Sequence, residues 1–288
     1  MGDDDVKFLY PIDENRLLSF GAVNTVRLWD AHTRMPIGEP LRLPYDPNRY
    51  VTYNDKLNRV VAQLDLGLLQ IYDAATMLPV GAPIKLQAAA MSLEFTRDGR
   101  TLATGDFNGT LQLGDMVTGL PIGQPMPGKS WATSMSFSRD GHLLAAGYQD
   151  NTLQLWDTQN FHSVGQPMRL DSTATSLAFS PDGRHLVSGS ADGTIRLWNA
   201  GDQTQFGPPL IGHGQSVTSL EFSPDGHRFV SASADQTLRM WPMPAPSADA
   251  LCAKLTHNMS RDEWNRVVSS EIDYREVCPG LPIAGSAG

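Results

Sequence analysis

A short apolar strand ending at a tryptophan position returns along this chain at a fixed interval, and that periodicity sharply limits the folds open to it. VRLWD (26–30), LQIYD (69–73), LQLGD (111–115), LQLWD (153–157), IRLWN (195–199) and LRMW (238–241) place Trp29, Tyr72, Gly114, Trp156, Trp198 and Trp241 every 42 or 43 residues. A unit of that length cannot bury its own apolar face and must stack on its neighbours. A second series runs in phase: Asp98-Gly99, Asp140-Gly141, Asp182-Gly183 and Asp225-Gly226, each after an apolar run ending in phenylalanine. Asp-Gly between alternating apolar runs predicts a hairpin, since both residues tolerate positive φ. A further turn, at Asn108-Gly109, Asp150-Asn151, Asp192-Gly193 or Asp235-Gln236, leads into the strand that ends at the tryptophan position.

A third series, Gly38-Glu39-Pro40, Gly81-Ala82-Pro83, Gly123-Gln124-Pro125, Gly165-Gln166-Pro167 and Gly207-Pro208-Pro209, keeps the same spacing. Proline cannot donate to a central ladder, so each marks an outermost strand. Four antiparallel strands per unit, repeated about an axis, is the plan of a β-propeller. The sequence therefore predicts an all-β propeller over 1–241, with six blades of mostly four antiparallel strands at roughly 6–44, 49–86, 89–127, 131–170, 173–211 and 213–241. A Pro/Ala/Ser-rich linker, 242–247, and a short C-terminal helical tail with a disordered end, 248–288, follow.

From Val6 to Trp241 the chain resembles the WD-repeat family, most closely in TSLAFSPDGRHLVSGSADGTIRLWN (175–199) and GHGQSVTSLEFSPDGHRFVSASADQTLRMW (212–241). The resemblance implies a structural, non-catalytic hydrogen-bond network of His213, Ser231 or Ser233, Asp235 and Trp241, complete only in the last repeat. Trp29, Trp156 and Trp198 hold the same tryptophan position, and Asp150 and Asp192 the same aspartate position. Tyr72 and Gly114 replace the tryptophan, and Leu170 stands where His213 stands, so those networks are expected to be weaker. In the family, an N-terminal segment usually completes the last blade; here Met1 to Asp5 is short and acidic, and Ala248 to Leu251 stand where Gly-x-Pro should recur. Five blades read as complete and the sixth as short of a strand. A ring with a three-stranded last blade, a fragment of a longer array, and closure by the C-terminal segment all fit. An open edge also invites self-association through the sixth blade. The tail resembles that of actinobacterial-type proteins whose repeats follow a signalling NTPase or kinase domain, which implies the partner-binding or sensory part of a signalling protein.

In the tail, Ser247 is placed to cap a helix over 248–255, and Ser260 with Glu263 forms a capping box for 261–269, whose Trp264, Val267 and Val268 share a face. That face either packs on the propeller or docks a partner. Cys252 and Cys278 are idle thiols or one disulfide tying the tail, and with His257 alone beside them they offer too few ligands for a metal.

Little in the chain supports catalysis or a cofactor: the sequence contains no P-loop, G-x-S-x-G, H-E-x-x-H or C-x-x-C, and the seven histidines lack ligand spacing. A net charge of −9 without a Lys/Arg cluster argues against nucleic acid. No apolar run is long enough to cross a bilayer and the acidic start lacks signal-peptide character, so a cytoplasmic, membrane-free protein is expected. Glu94 and Glu221 occupy one inner-strand position, shared by Leu9, Thr52, Ser136 and Ala178, and would face a central channel. They support the alternative of a propeller enzyme or a small-ligand or metal binder. Residues that break the repeat support binding better, because loops on a rigid scaffold carry function. Trp131 replaces Ala89, Thr173 and Ser216; Phe107 replaces Ala191 and Ala234; Tyr148 replaces Ser190 and Ser233. Together with Gln149, and with Arg49 and Tyr50 on blade two, they predict an aromatic patch on one face for a protein or peptide. The expected function is a non-catalytic protein–protein interaction scaffold.

Overall fold

The computed structural model describes residues 6–21, 25–43, 51–65, 67–243 and 260 of the chain. Two compact units divide it, Met1–Trp241 and Pro242–Gly288. The first carries the repeats. The helices expected at 248–255 and 261–269, together with Cys252 and Cys278, lie outside the described residues, among which no helix occurs.

Each repeat folds into one antiparallel sheet whose strands lie side by side in chain order, giving six sheets. Sheet one is Val6–Pro11, Arg16–Gly21, Thr25–Asp30 and Pro36–Arg42 (β1–β4). Sheet two is Val51–Asn54, Arg59–Asp65, Leu68–Asp73 and Pro79–Lys85 (β5–β8). Sheet three is Ala90–Phe95, Thr101–Asp106, Thr110–Asp115 and Pro121–Pro127 (β9–β12). Sheet four is Ala132–Phe137, Leu143–Tyr148, Thr152–Asp157 and His162–Arg169 (β13–β16). Sheets five and six have three strands each: Ala174–Phe179, His185–Ser190 and Ile195–Asn199 (β17–β19), then Val217–Phe222, Arg228–Ser233 and Leu238–Pro242 (β20–β22).

The Asp-Gly series forms the hairpins, with a difference in detail. Only the glycines take positive φ, at +71° to +74° for Gly99, Gly141, Gly183 and Gly226. The aspartates instead accept a hydroxyl at 2.6–2.7 Å from Thr96, Ser138, Ser180 or Ser223 two residues earlier. The Gly-x-Pro series forms the outermost strands β4, β8, β12 and β16, and each glycine sits at a bulge in the ladder. Sheet five departs from the expected four strands: beyond β19 only the isolated bridges Ile195–Leu210 and Trp198–Gln205 form. In the Gly-x-Pro motif of this repeat the middle residue is also a proline, so Pro208 and Pro209 remove two adjacent donors.

Packing between sheets follows one rule. Each sheet has a forward face, whose apolar residues meet a backward face on the next sheet. Leu18, Val26 and Leu28 meet Val60, Ala62 and Tyr72. Val61, Leu69 and Ile71 meet Ala90 and Leu102. Leu111 and Leu113 meet Leu144 and Trp156, and Leu153 and Leu155 meet Leu186 and Trp198. Burial of such a side chain contributes about 1.5–3 kcal/mol, so the core of this unit is a series of layers between sheets and not one central mass. The inner strands β9, β13, β17 and β20 line a cavity of 820 Å³. This is a propeller-like arrangement, as the repeat predicts.

Candidate functional site

At one end of sheets three and four, two loops clasp. The β10–β11 turn is anchored by Asp106, which accepts from the Asn108 and Thr110 amides at 2.9 and 2.8 Å. Asp106 is buried, and burial raises its carboxyl above the usual range although these amides pull the other way. Gly109 follows at φ +85°, where a Cβ would lie 2.1 Å from the Ser130 carbonyl oxygen. Only glycine permits that approach. The Gly128 amide donates to the Gly109 carbonyl at 3.1 Å, and so the β12–β13 loop is drawn over the turn.

The clasp brings Phe107 and Trp131 together, their ring centroids 5.4 Å apart and the planes tilted by 33°. Phe107 donates its amide to Ala89 at 3.0 Å and Trp131 accepts from the Gln149 amide at 2.9 Å, so both backbones are fixed. Phe107 is nonetheless 57% exposed and Trp131 half-buried. Gln149 lies exposed beside them. Arg49 and Tyr50 lie outside the described residues.

Tyr148 does not join this surface. It is 3% exposed, and its hydroxyl accepts from Trp156 Nε1 at 3.1 Å. Gly128 occupies the place that His213 holds in sheet six, and the space it leaves is filled by the Tyr148 ring: a Cβ on Gly128 would lie 2.6 Å from Tyr148 Cε1. Burial accordingly pushes the Tyr148 phenol well above its usual value. The pair of exchanges, His to Gly and Ser to Tyr, is the sequence signal that separates Tyr148 from the exposed aromatics.

In sheet six the full polar network forms. Trp241 Nε1 donates to Ser231 Oγ at 2.8 Å, Ser231 Oγ lies 2.6 Å from His213 Nε2, and His213 Nδ1 lies 3.0 Å from Asp235. Donation from Trp241 to Ser231 to His213 to Asp235 satisfies every group. Ser233 takes no part in it and donates to the Gln215 carbonyl at 3.0 Å. Thr237 and His213 side chains and the Gly214 amide hold the Asp235 carboxyl well below the usual carboxylate range. Trp198 reaches Ser188 at 2.9 Å and Trp29 reaches Ser19 at 2.6 Å, reduced versions of the same device. Asp150 and Asp192 instead accept from their own turns, at 2.6 Å from Thr152 Oγ1 and 2.7 Å from Thr194 Oγ1.

Glu94 and Glu221 both line the cavity. Burial first, and then the Glu221 charge, push the Glu94 carboxyl up to about 7. In sheet one the shared position falls to Tyr10 and not Leu9, because Tyr10 pairs with Leu18 as Glu94 pairs with Ala103. Among the described residues no group of three or more His, Cys, Asp or Glu side chains is placed to hold a metal, and no helix is long and apolar enough to cross a membrane.

Sequential antiparallel sheets with one turn chemistry and one packing rule define a repeat protein of propeller-like type. Three stretches, 123–157, 168–199 and 205–242, match the family "WD domain, G-beta repeat". Repeats of this family generally mediate protein–protein interaction and are generally non-enzymatic. No curated protein matches the chain.

Proposed function

We propose that this chain is a non-catalytic platform that binds a protein or peptide through the Phe107–Trp131 surface, as the partner-binding part of a signalling protein. The observation that carries the reading is an aromatic pair, Phe107 exposed and Trp131 half-buried, held on fixed backbone across two sheets. Apolar surface of this kind, on a scaffold that loses no loop entropy on binding, is what an interface hot spot requires. The test is a photo-cross-linking amino acid at position 107, with position 184 on an exposed turn of sheet five as control, followed by identification of the attached protein. A partner captured at 107 and not at 184, with affinity about 30-fold lower for Trp131→Ala, supports the site. Equal capture at both positions, or unchanged affinity, sinks it.

Self-association belongs to the same reading and is supported by the open forward face of sheet six, where Leu238 is 74% and Met240 62% exposed. A second reading, a small cationic or hydrogen-bonding ligand in the cavity, is supported by Glu94 and Glu221, which both line it. Its test is titration calorimetry with candidate ligands against Glu94→Gln, and binding that survives the substitution removes it.

A further inference from the structure

We propose that the cavity between β9, β13, β17 and β20 binds an elongated zwitterion, its ammonium end held by Glu94 and Ser136 within reach of the Glu221 charge, its anionic end by Arg97 and Arg139. The proposal rests on the second reading above, a ligand in the cavity, and gives that ligand its chemistry.

From a shared serine to a shared phenylalanine, the four inner strands repeat one pattern with one exception. Ser92, Ser134, Ser176 and Ser219 hold one position, and Phe95, Phe137, Phe179 and Phe222 hold another. The serine position serves the scaffold: Ser92 Oγ donates to the Ala132 carbonyl at 3.2 Å and Ser134 Oγ to the Ala174 carbonyl at 3.1 Å, each tying its strand to the next. Between the two positions stand Glu94, Ser136, Ala178 and Glu221, at one level because they pair with Ala103, Ala145, Val187 and Val230. Here the repeat breaks, and all four residues line the cavity.

This level has acceptors to spare. Ser136 is only 8% exposed, and its hydroxyl has no hydrogen-bond partner among the described residues. The Glu94 and Glu221 carboxyls have none either. Glu94 is half-buried, and a carboxylate taken from water without a donor is costly. An ammonium group brings three donors and the opposite charge, which answers both needs. A cavity of 820 Å³ has the size for an organic molecule and not for a bare ion.

The anionic end follows from the same cavity. Arg97 and Arg139 hold one position on neighbouring hairpins, where sheets five and six carry Pro181 and Pro224. Both arginines line the cavity and also a smaller one of 510 Å³ between the two hairpins. Neither guanidinium is paired among the described residues. The carboxylates next to them are occupied by their own turns: Asp98 accepts from Thr96 Oγ1 and the Arg100 amide, and Asp140 from Ser138 Oγ and the His142 amide. Position 97 lies about 10 Å of extended backbone beyond position 94, so a ligand with its two charges on adjacent atoms does not reach both ends. A polyamine has the length, but its second cation meets the arginines.

The test is titration calorimetry of the full chain near neutral pH with three probes: ε-aminocaproate, which carries both charges, hexylamine and caproate. The expected result is that ε-aminocaproate binds tightest and caproate least. Glu94→Gln should weaken ε-aminocaproate at least about tenfold, and Ser136→Ala, which removes no charge, about threefold. R97A/R139A, at exposed positions, should weaken ε-aminocaproate about fivefold and leave hexylamine unchanged. A second readout is the proton. Glu94, Glu221, Arg97 and Arg139 are the charged groups lining the cavity, and β17 supplies none. With the Glu94 carboxyl at about 7, an arriving ammonium drives it to ionise, so binding should release up to about half a proton, and none in Glu94→Gln. Heats measured in buffers of different ionisation enthalpy read that number. Equal affinity for ε-aminocaproate and hexylamine, both unmoved by R97A/R139A, overturns the zwitterion and leaves a cation in the cavity standing. Binding unchanged in Glu94→Gln, or no binding of any probe, overturns the proposal and the cavity reading together.

Discussion

Tyr148 and Trp131 stand seventeen residues apart, each replacing a small residue of the repeat, and yet they do opposite things. Trp131 follows Ser130, whose backbone closes on the turn at Gly109, and its ring stays half-buried against Phe107. Tyr148 enters the space above Gly128. Tyr148→Phe removes the acceptor for Trp156 and is expected to cost about 1 kcal/mol in urea unfolding, while Tyr148→Ala costs about 3–5 kcal/mol through the cavity left behind. Gly128→His alone should overpack the site, because a Cβ there meets both the Gly109 carbonyl oxygen at 2.3 Å and the Tyr148 ring, and adding Tyr148→Ser should recover only the part of the loss that is due to the ring. Additive losses in that cycle would contradict the exchange. Glu94 gives a pH prediction. Its carboxyl is raised to about 7 in the fold from an ordinary 4.5, so it ionises more readily in the unfolded chain. The folded state consequently loses stability as pH rises from about 4.5 through about 7, by roughly 1–3 kcal/mol. Glu94→Gln should recover that loss at pH 8 and change little at pH 4, as read from melting temperatures at the two values.

At the scale of the strand, the outer glycines illustrate how one residue type serves two constraints. Gly38 and Gly123 share a left-handed backbone, at φ +68° and +63°. Space around Gly38 is open, whereas a Cβ on Gly123 would lie 2.0 Å from the Phe161 ring carried by the next sheet. Gly38→Ala should therefore cost only the backbone strain, about 1–2 kcal/mol, and Gly123→Ala should cost more by the clash as well. Phe161→Ala should relieve the second part and leave the first, so equal losses for the two glycines would show that Phe161 exerts no constraint. Gly114 is the converse case. It stands at the tryptophan position, but a Cβ there would lie 2.8 Å from Ile84 Cδ1, so the junction of sheets two and three has already been repacked around its absence.

Across the whole unit of repeats, stability is a sum over junctions, and Leu238 and Met240 of sheet six are exposed where Ile195 and Leu197 of sheet five are buried. Amide exchange should therefore be faster in β22 than in β19, although the strands have nearly the same sequence, and slowest in sheets four and five. Exchange in β22 as slow as in β19 under dilute conditions would mean that Leu238 and Met240 are covered in the monomer. The polar network around His213 acts on the same sheet: His213→Ala takes one hydrogen-bond partner from each of Asp235 and Ser231 and should quicken exchange in β22 further.

The period, the hairpins, the outer proline strands and the face carrying Phe107 and Trp131 are set by local chemistry: the φ that glycine allows, the donor that proline lacks, and apolar alternation at a fixed interval. These were legible one repeat at a time. The burial of Tyr148, the missing regular fourth strand of sheet five and the exposure of Leu238 were not, because each depends on what a neighbouring segment supplies. Leu238 and Ile195 sit in nearly identical sequences, LRMW and IRLW, and yet Ile195 is fully buried beside the sheet that follows while Leu238 is 74% exposed. The sequence alone determined that the chain is a stack of sheets with matching faces. Which faces find a partner within the molecule was decided by tertiary packing, since burial belongs to the pair of surfaces and not to either strand.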